Sequence, residues 1–108
     1  MVGLMLGSAW CLQAAAAEVD QGKLLYGTRC AFCHGKTGKG DGPAGKALTP
    51  PPPDFTAAAF WANKTHEQLQ DALEHGKPNT AMMGFKGSLS PEQISAVLTY
   101  LESLKPTP

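Results

Sequence analysis

The sequence predicts an all-α domain of three principal short helices joined by long Gly/Pro-rich loops. Three observations lead there. Apolar residues recur at spacings of three and four in three separate segments, no stretch alternates with the period of two that a half-buried strand needs, and the turn-forming residues gather between the helical segments. A chain of 108 residues has room for one domain. At this size an apolar core is modest, so a bound metal or large apolar group would belong to the architecture itself.

From Val2 to Leu12 the chain is almost continuously apolar, and Ala14 to Ala17 follow just before the first acid, Glu18. An apolar run ahead of small residues reads as a secretory leader over residues 1–17, leaving 18–108 as the mature domain. The run is too short for a stable membrane anchor, and no Lys or Arg precedes it. A retained N-terminal helix is the competing reading. Cys11 lies within this segment behind the bulky Trp10, which argues against a lipid anchor.

The first helix is predicted from about Asp20 to Cys30, where Gly22, Leu25, Tyr26 and Arg29 recur at helical spacing; Gly22 marks a place where another helix can approach closely. The stretch from Gly35 to Pro53 holds five glycines and five prolines and is predicted to be a loop, long enough to need support. A second helix begins after Thr65, whose spacing to Gln68 suits a capping box, and Gly76 stops it. The third opens with Ser90, Pro91 and Gln93 and carries one apolar stripe, Ile94, Val97, Leu98, Leu101 and Leu104.

Nine basic residues balance nine acidic ones, all of them beyond the leader. That balance argues against a nucleic-acid surface.

The strongest chemical signal is Cys30-Ala31-Phe32-Cys33-His34. On one helical turn two thiols three residues apart share a face, from which both reach the two vinyl groups of one porphyrin, and the adjoining imidazole can approach the iron. The predicted cofactor is therefore one covalently attached haem c. A dithiol redox site leaves the adjacent histidine and the long loop unexplained. Zinc would need the two thiolates plus His66 and His75 in tetrahedral geometry, and a disulfide here would close only a tiny loop.

For the other axial position, Met82 and Met83 fall between the second and third helices. A thioether suits an electron carrier. Met82 is the expected ligand, Met83 packs nearby or substitutes for it, and His66 or His75 is the remaining alternative. With no sixth ligand the iron would be open to a gas or peroxide.

The region from Asp20 to Leu104 resembles class I c-type cytochromes, especially small bacterial monohaem members. The resemblance rests on Gly22 to Tyr26, Cys30 to His34, Gly38-Lys39-Gly40-Asp41-Gly42-Pro43, Met82 to Phe85, and Leu89 to Leu104 with Tyr100-Leu101. It implies a cytochrome c fold, with Gly22 and Tyr26 meeting the last helix near Tyr100 and Leu101. It further implies that His34 ligates iron through one ring nitrogen while a backbone carbonyl, that of Pro43, takes the other N–H. The family's Met-Pro-x-Phe pattern matches Met82-Met83-Gly84-Phe85, so register against Phe85 favours Met82, with methionine in place of the proline. Trp61, Asn63 and Lys64 resemble the region that approaches a haem propionate; for Trp61, core packing is the alternative.

The expected function is that of an exported, periplasmic carrier shuttling single electrons between transient redox partners, with no nucleic acid partner, no membrane anchor in the mature form, and a monomeric or weakly dimeric state. No catalytic residue is expected. A haem peroxidase-like or gas-binding protein with an exchangeable sixth position is the alternative.

Overall fold

The computed structural model describes residues 3–107. Its helices are α1 (Gly3–Arg29), α2 (Ala31–His34), α3 (Ala58–Trp61), α4 (His66–His75) and α5 (Pro91–Ser103), with a single 3-10 turn at Gly45–Ala47. No strand occurs among the described residues. The three expected helices correspond to α1, α4 and α5; α2 and α3 are single turns inside the loops.

The first helix is much longer than the expected span from Asp20. It covers 27 residues, because the leader segment is rich in Ala and Leu, good helix formers, and holds no proline to stop propagation into Asp20. Residues 10–17 are exposed throughout, and Trp10 and Leu12 are about three-quarters exposed. Met1 and Val2, part of the expected leader, lie outside the described residues. No described helix is long and apolar enough to cross a membrane.

Packing against α5 begins near Glu18, whose carboxylate accepts from the Ser95 hydroxyl at 2.7 Å. At Gly22 the two helices come so close that a Cβ would collide with the Ala96 carbonyl and lie 2.8 Å from Tyr100 Cβ. One turn later Tyr26 stacks obliquely on Tyr100, ring centroids 5.2 Å apart. This is the crossing the resemblance implied. Around it gather Val97, Leu98 and Leu101 of α5 with Leu73 of α4, Phe85 and Leu89, all buried.

Both expected capping boxes form. Thr65 and Gln68 satisfy each other's backbone donors at the start of α4, and Ser90 and Gln93 do the same for α5, where Pro91 occupies the first turn. Gly76 ends α4 with φ +78°. His66 Nδ1 lies 2.7 Å from Glu102 Oε1, tying the start of α4 to the end of α5.

The glycine-rich loop is held by the carbonyls at the end of α2. Gly40 N–H donates to His34 O (2.8 Å), Gly42 N–H to Cys33 O (3.1 Å) and Ala44 N–H to Phe32 O (3.0 Å). These carbonyls end a helix and need partners. The loop supplies them, which explains how so long a segment stays ordered.

Candidate functional site

Cys30 caps the one-turn helix α2, which carries Cys33 and ends at His34. The N–H of Cys30 still bonds Tyr26 O of α1 at 2.8 Å, and that of His34 bonds Cys30 O at 2.9 Å, so the whole motif continues α1 with a break at Cys30. Tyr26 adds a second tie. Its buried hydroxyl donates to Gly35 O, the carbonyl just past the histidine, at 2.6 Å.

Cys30, Cys33 and His34 line one side of a cavity of about 680 Å³. Its volume falls within the range of roughly 300–1,000 Å³ usual for sites that enclose cofactor-sized ligands. The proline run Pro50 to Pro53 forms one wall, Leu69 and Leu73 of α4 another, and Met82 and Phe85 come from the segment between α4 and α5. The backbone places that segment firmly. Phe85 N–H donates to Leu73 O (2.7 Å) and Lys86 N–H to Glu74 O (3.2 Å), so the free carbonyls of the last turn of α4 seat the chain that carries the methionines. Gly84 permits this approach, since a Cβ there would stand 2.5 Å from Glu74 O.

The residues suit a buried metalloporphyrin. Burial pulls the His34 imidazole below its usual range, which favours the neutral, lone-pair-bearing form that binds metal. Its Nδ1 is buried without a hydrogen-bond partner. Two thiols, a neutral imidazole and a thioether around one largely apolar cavity are a donor set that a covalently held haem takes. Burial also pushes the Cys30 thiol up to about 11, against the opposing pull of Arg29. Neither Cys30 nor Cys33 is in a disulfide.

Several expected roles change on contact with the fold. Pro43 is exposed and does not line the cavity, and its carbonyl does not take His34 Nδ1. Phe55 stacks on the imidazole, ring centroids 5.0 Å apart with a 23° tilt. The loop beside Pro43 is committed elsewhere, through Gly42 and Ala44 to the α2 carbonyls. Trp61 occupies the core and not the cavity wall, because its indole N–H is given to Phe55 O at 2.7 Å. Of the three residues in that region only Lys64 lines the cavity, its ammonium 5.6 Å from the Phe60 ring centre.

Met82 and Met83 both line the cavity, Met82 half-buried against the core and Met83 66% exposed. His66 and His75 are exposed and line no part of the cavity, so neither shares a site with the cysteines. No cluster of three or more His, Cys, Asp or Glu able to hold a metal ion occurs among the described residues, which leaves the zinc alternative without ligands. The sequence reading did not find Phe55. Its only local signal is an aromatic residue directly after the proline run and Asp54.

The family model for cytochrome c matches residues 19–105. A dihydro-heme d1 dehydrogenase of Pseudomonas aeruginosa is 32% identical over 106 residues, 98% of this chain and 19% of that protein. Cytochrome c4 of Thiocapsa roseopersicina is 35% identical over 75 residues, 69% of this chain and 37% of that one. The chain thus spans well under half the length of these curated relatives. Among solved structures, a chain of the Kuenenia stuttgartiensis reducing HAO-like protein complex superposes with a TM-score of 0.69 at 32% identity, over 79% of this chain and 41% of that one. The KustC0563 c-type cytochrome does so at 0.64 and 29% identity, over 78% of this chain and 96% of that one. With the attachment helix, the cavity and the helix crossing agreeing with these matches, the chain belongs to the cytochrome c family, as a class I c-type cytochrome whose cofactor is covalently bound haem c.

Proposed function

We propose that this protein is an exported single-electron carrier with one haem, ligated by His34 and Met82, and that it performs no substrate chemistry of its own. The observation that carries the reading is that the Cys30–His34 turn and Met82 line one apolar cavity, on elements pinned by backbone hydrogen bonds. Cys30 and Cys33 would hold the haem by thioether bonds to its two vinyl positions, and His34 and Met82 would ligate its iron. When bound, the haem supplies a one-electron couple at its iron.

The protein's own groups set how that couple behaves. His34 is held at the end of α2 by its N–H bond to Cys30 O and by the Phe55 ring. Met82 offers a neutral thioether, which favours the reduced metal relative to a second imidazole. Leu69, Leu73, Phe85 and Leu101 exclude water from the cavity, limiting the solvent rearrangement that accompanies a change of charge. The exposed side chains nearest the mouth include Met83 and Lys77, a small mixed surface of the kind brief redox encounters use.

The resemblance to a dehydrogenase covers a fifth of that protein's length. We assign the electron-transfer role, and not the dehydrogenase reaction, to the shared portion, because it carries the Cys30–His34 turn and Met82 on one cavity. The export assignment rests on the apolar segment ahead of Glu18. Intact mass of protein matured with haem-attachment machinery should show one added haem, and the ferric protein should show the near-infrared thioether-to-iron charge-transfer band. Met82→Ala should abolish that band. Its persistence in this variant would remove Met82 as the ligand.

A further inference from the structure

In the family pattern a proline follows the ligand methionine; here that place is taken by Met83, a second thioether one residue away. Something else must decide which sulfur enters the cavity. The segment from Lys77 to Met82 closes on itself. Lys77 N–H donates to Met82 O at 3.1 Å, and Thr80 N–H returns to Lys77 O at 3.3 Å. The Thr80 hydroxyl donates to the same Lys77 carbonyl at 2.9 Å and accepts from Met82 N–H at 3.2 Å. Between them stand Pro78 and then Asn79, whose φ is +62°. Proline followed by a left-handed Asn is the sequence and conformation a type II turn requires.

Resting on the His34/Met82 reading, we infer that Thr80 is a positioning residue that selects Met82 over Met83 by pinning the Met82 backbone within this closed turn. Both backbone groups of Met82 are engaged in the ring, and the next fixed point is Phe85 N–H on Leu73 O at 2.7 Å. A slip of one residue, which would bring Met83 inward, breaks the Lys77–Met82 and Thr80–Met82 bonds together. The turn thus supplies by hydrogen bonding the restraint that the absent proline would have supplied covalently.

The test uses ferric holoprotein and imidazole, which competes with the thioether for iron. Thr80→Val keeps the shape and removes both hydroxyl bonds, so the methionine segment should open more readily and apparent imidazole affinity rise about five- to tenfold, the factor for one net hydrogen bond. Thr80→Ser should stay within about twofold of wild type, since one net hydrogen bond is kept. Asn79→Val, strained at positive φ, should move the same way as Thr80→Val without touching Thr80 or Met82, and it serves if Thr80→Val fails to mature. A valine variant at either position with wild-type affinity overturns the proposal, as does a serine variant as weakened as valine. If wild type itself lacks the thioether band, the ligation reading falls and takes this one with it. If wild type shows the band and the valine variants bind imidazole as wild type does, the selection by Thr80 alone is wrong.

Discussion

Two glycines of α1 test the helix crossing in opposite directions. In an exposed helix, Gly→Ala is stabilising by roughly 0.5–1 kcal/mol, because alanine loses less backbone freedom on folding. Gly27 is such a position, exposed, with nothing within 4 Å of where its Cβ would stand. Gly22→Ala has the same intrinsic gain but drives a methyl into the Ala96 carbonyl and onto Tyr100 Cβ at 2.8 Å. The obstacle is backbone, which cannot rotate aside, so α1 and α5 must separate over a contact that also holds Tyr26 against Tyr100. Overpacking of this kind costs about 1–3 kcal/mol, and an immobile neighbour puts the cost at the upper end. After the propensity gain, the net expectation is a loss of about 1–2 kcal/mol for Gly22→Ala. Urea unfolding of the two haem-bearing variants, followed by far-ultraviolet circular dichroism with comparable m-values, measures the contrast. A Gly22→Ala protein as stable as wild type, or stabilised to the same degree as Gly27→Ala, would refute the close crossing.

Tyr26→Phe removes the buried hydroxyl that donates to Gly35 O, leaving that carbonyl only the Gly38 N–H, and should cost about 1–2 kcal/mol in urea. Burial, with smaller contributions from Cys30, Tyr100 and Asp41, raises the Tyr26 phenol far above its ordinary value of 10.0. Above about pH 10 the unfolded chain therefore loses this proton while the folded one keeps it, so stability falls as pH rises. The advantage of wild type over Tyr26→Phe should shrink over that range; a constant difference from pH 8 to 11 would contradict the burial of the hydroxyl. Leu98→Ala, at a side chain 1% exposed, should cost about 2–5 kcal/mol by calorimetry or urea, and a loss below 1 kcal/mol would place Leu98 outside the core. Ser90→Ala removes the capping oxygen from Gln93 N–H and should cost about 1 kcal/mol, with partial recovery in Ser90→Asp; no change on removal would mean the cap adds nothing.

What could be read directly from the chain was whatever depends on neighbours three or four residues apart. The attachment turn Cys30–His34, the capping boxes at Thr65 and Ser90, the stop at Gly76 and the apolar stripe of α5 are all of this kind, and the fold class followed from them. Gly22 was legible too, since a glycine inside a helical pattern has few reasons to be there other than a close neighbour. The helix expected from Asp20 begins at Gly3, because the Ala- and Leu-rich segment before it favours helix without a proline to stop it. Only the tertiary structure decided where each remaining side chain spends its polar atoms. Trp61 turned to Phe55 O, Phe55 stacked on His34, and His66 went to Glu102 and away from the cavity. Such pairings join segments distant in the chain, and no local periodicity encodes them. That Met82 is half-buried while Met83 beside it on the cavity stays exposed likewise depends on α4 offering its last carbonyls to a loop that follows it, an arrangement that exists only once the helix has ended and the chain has turned back.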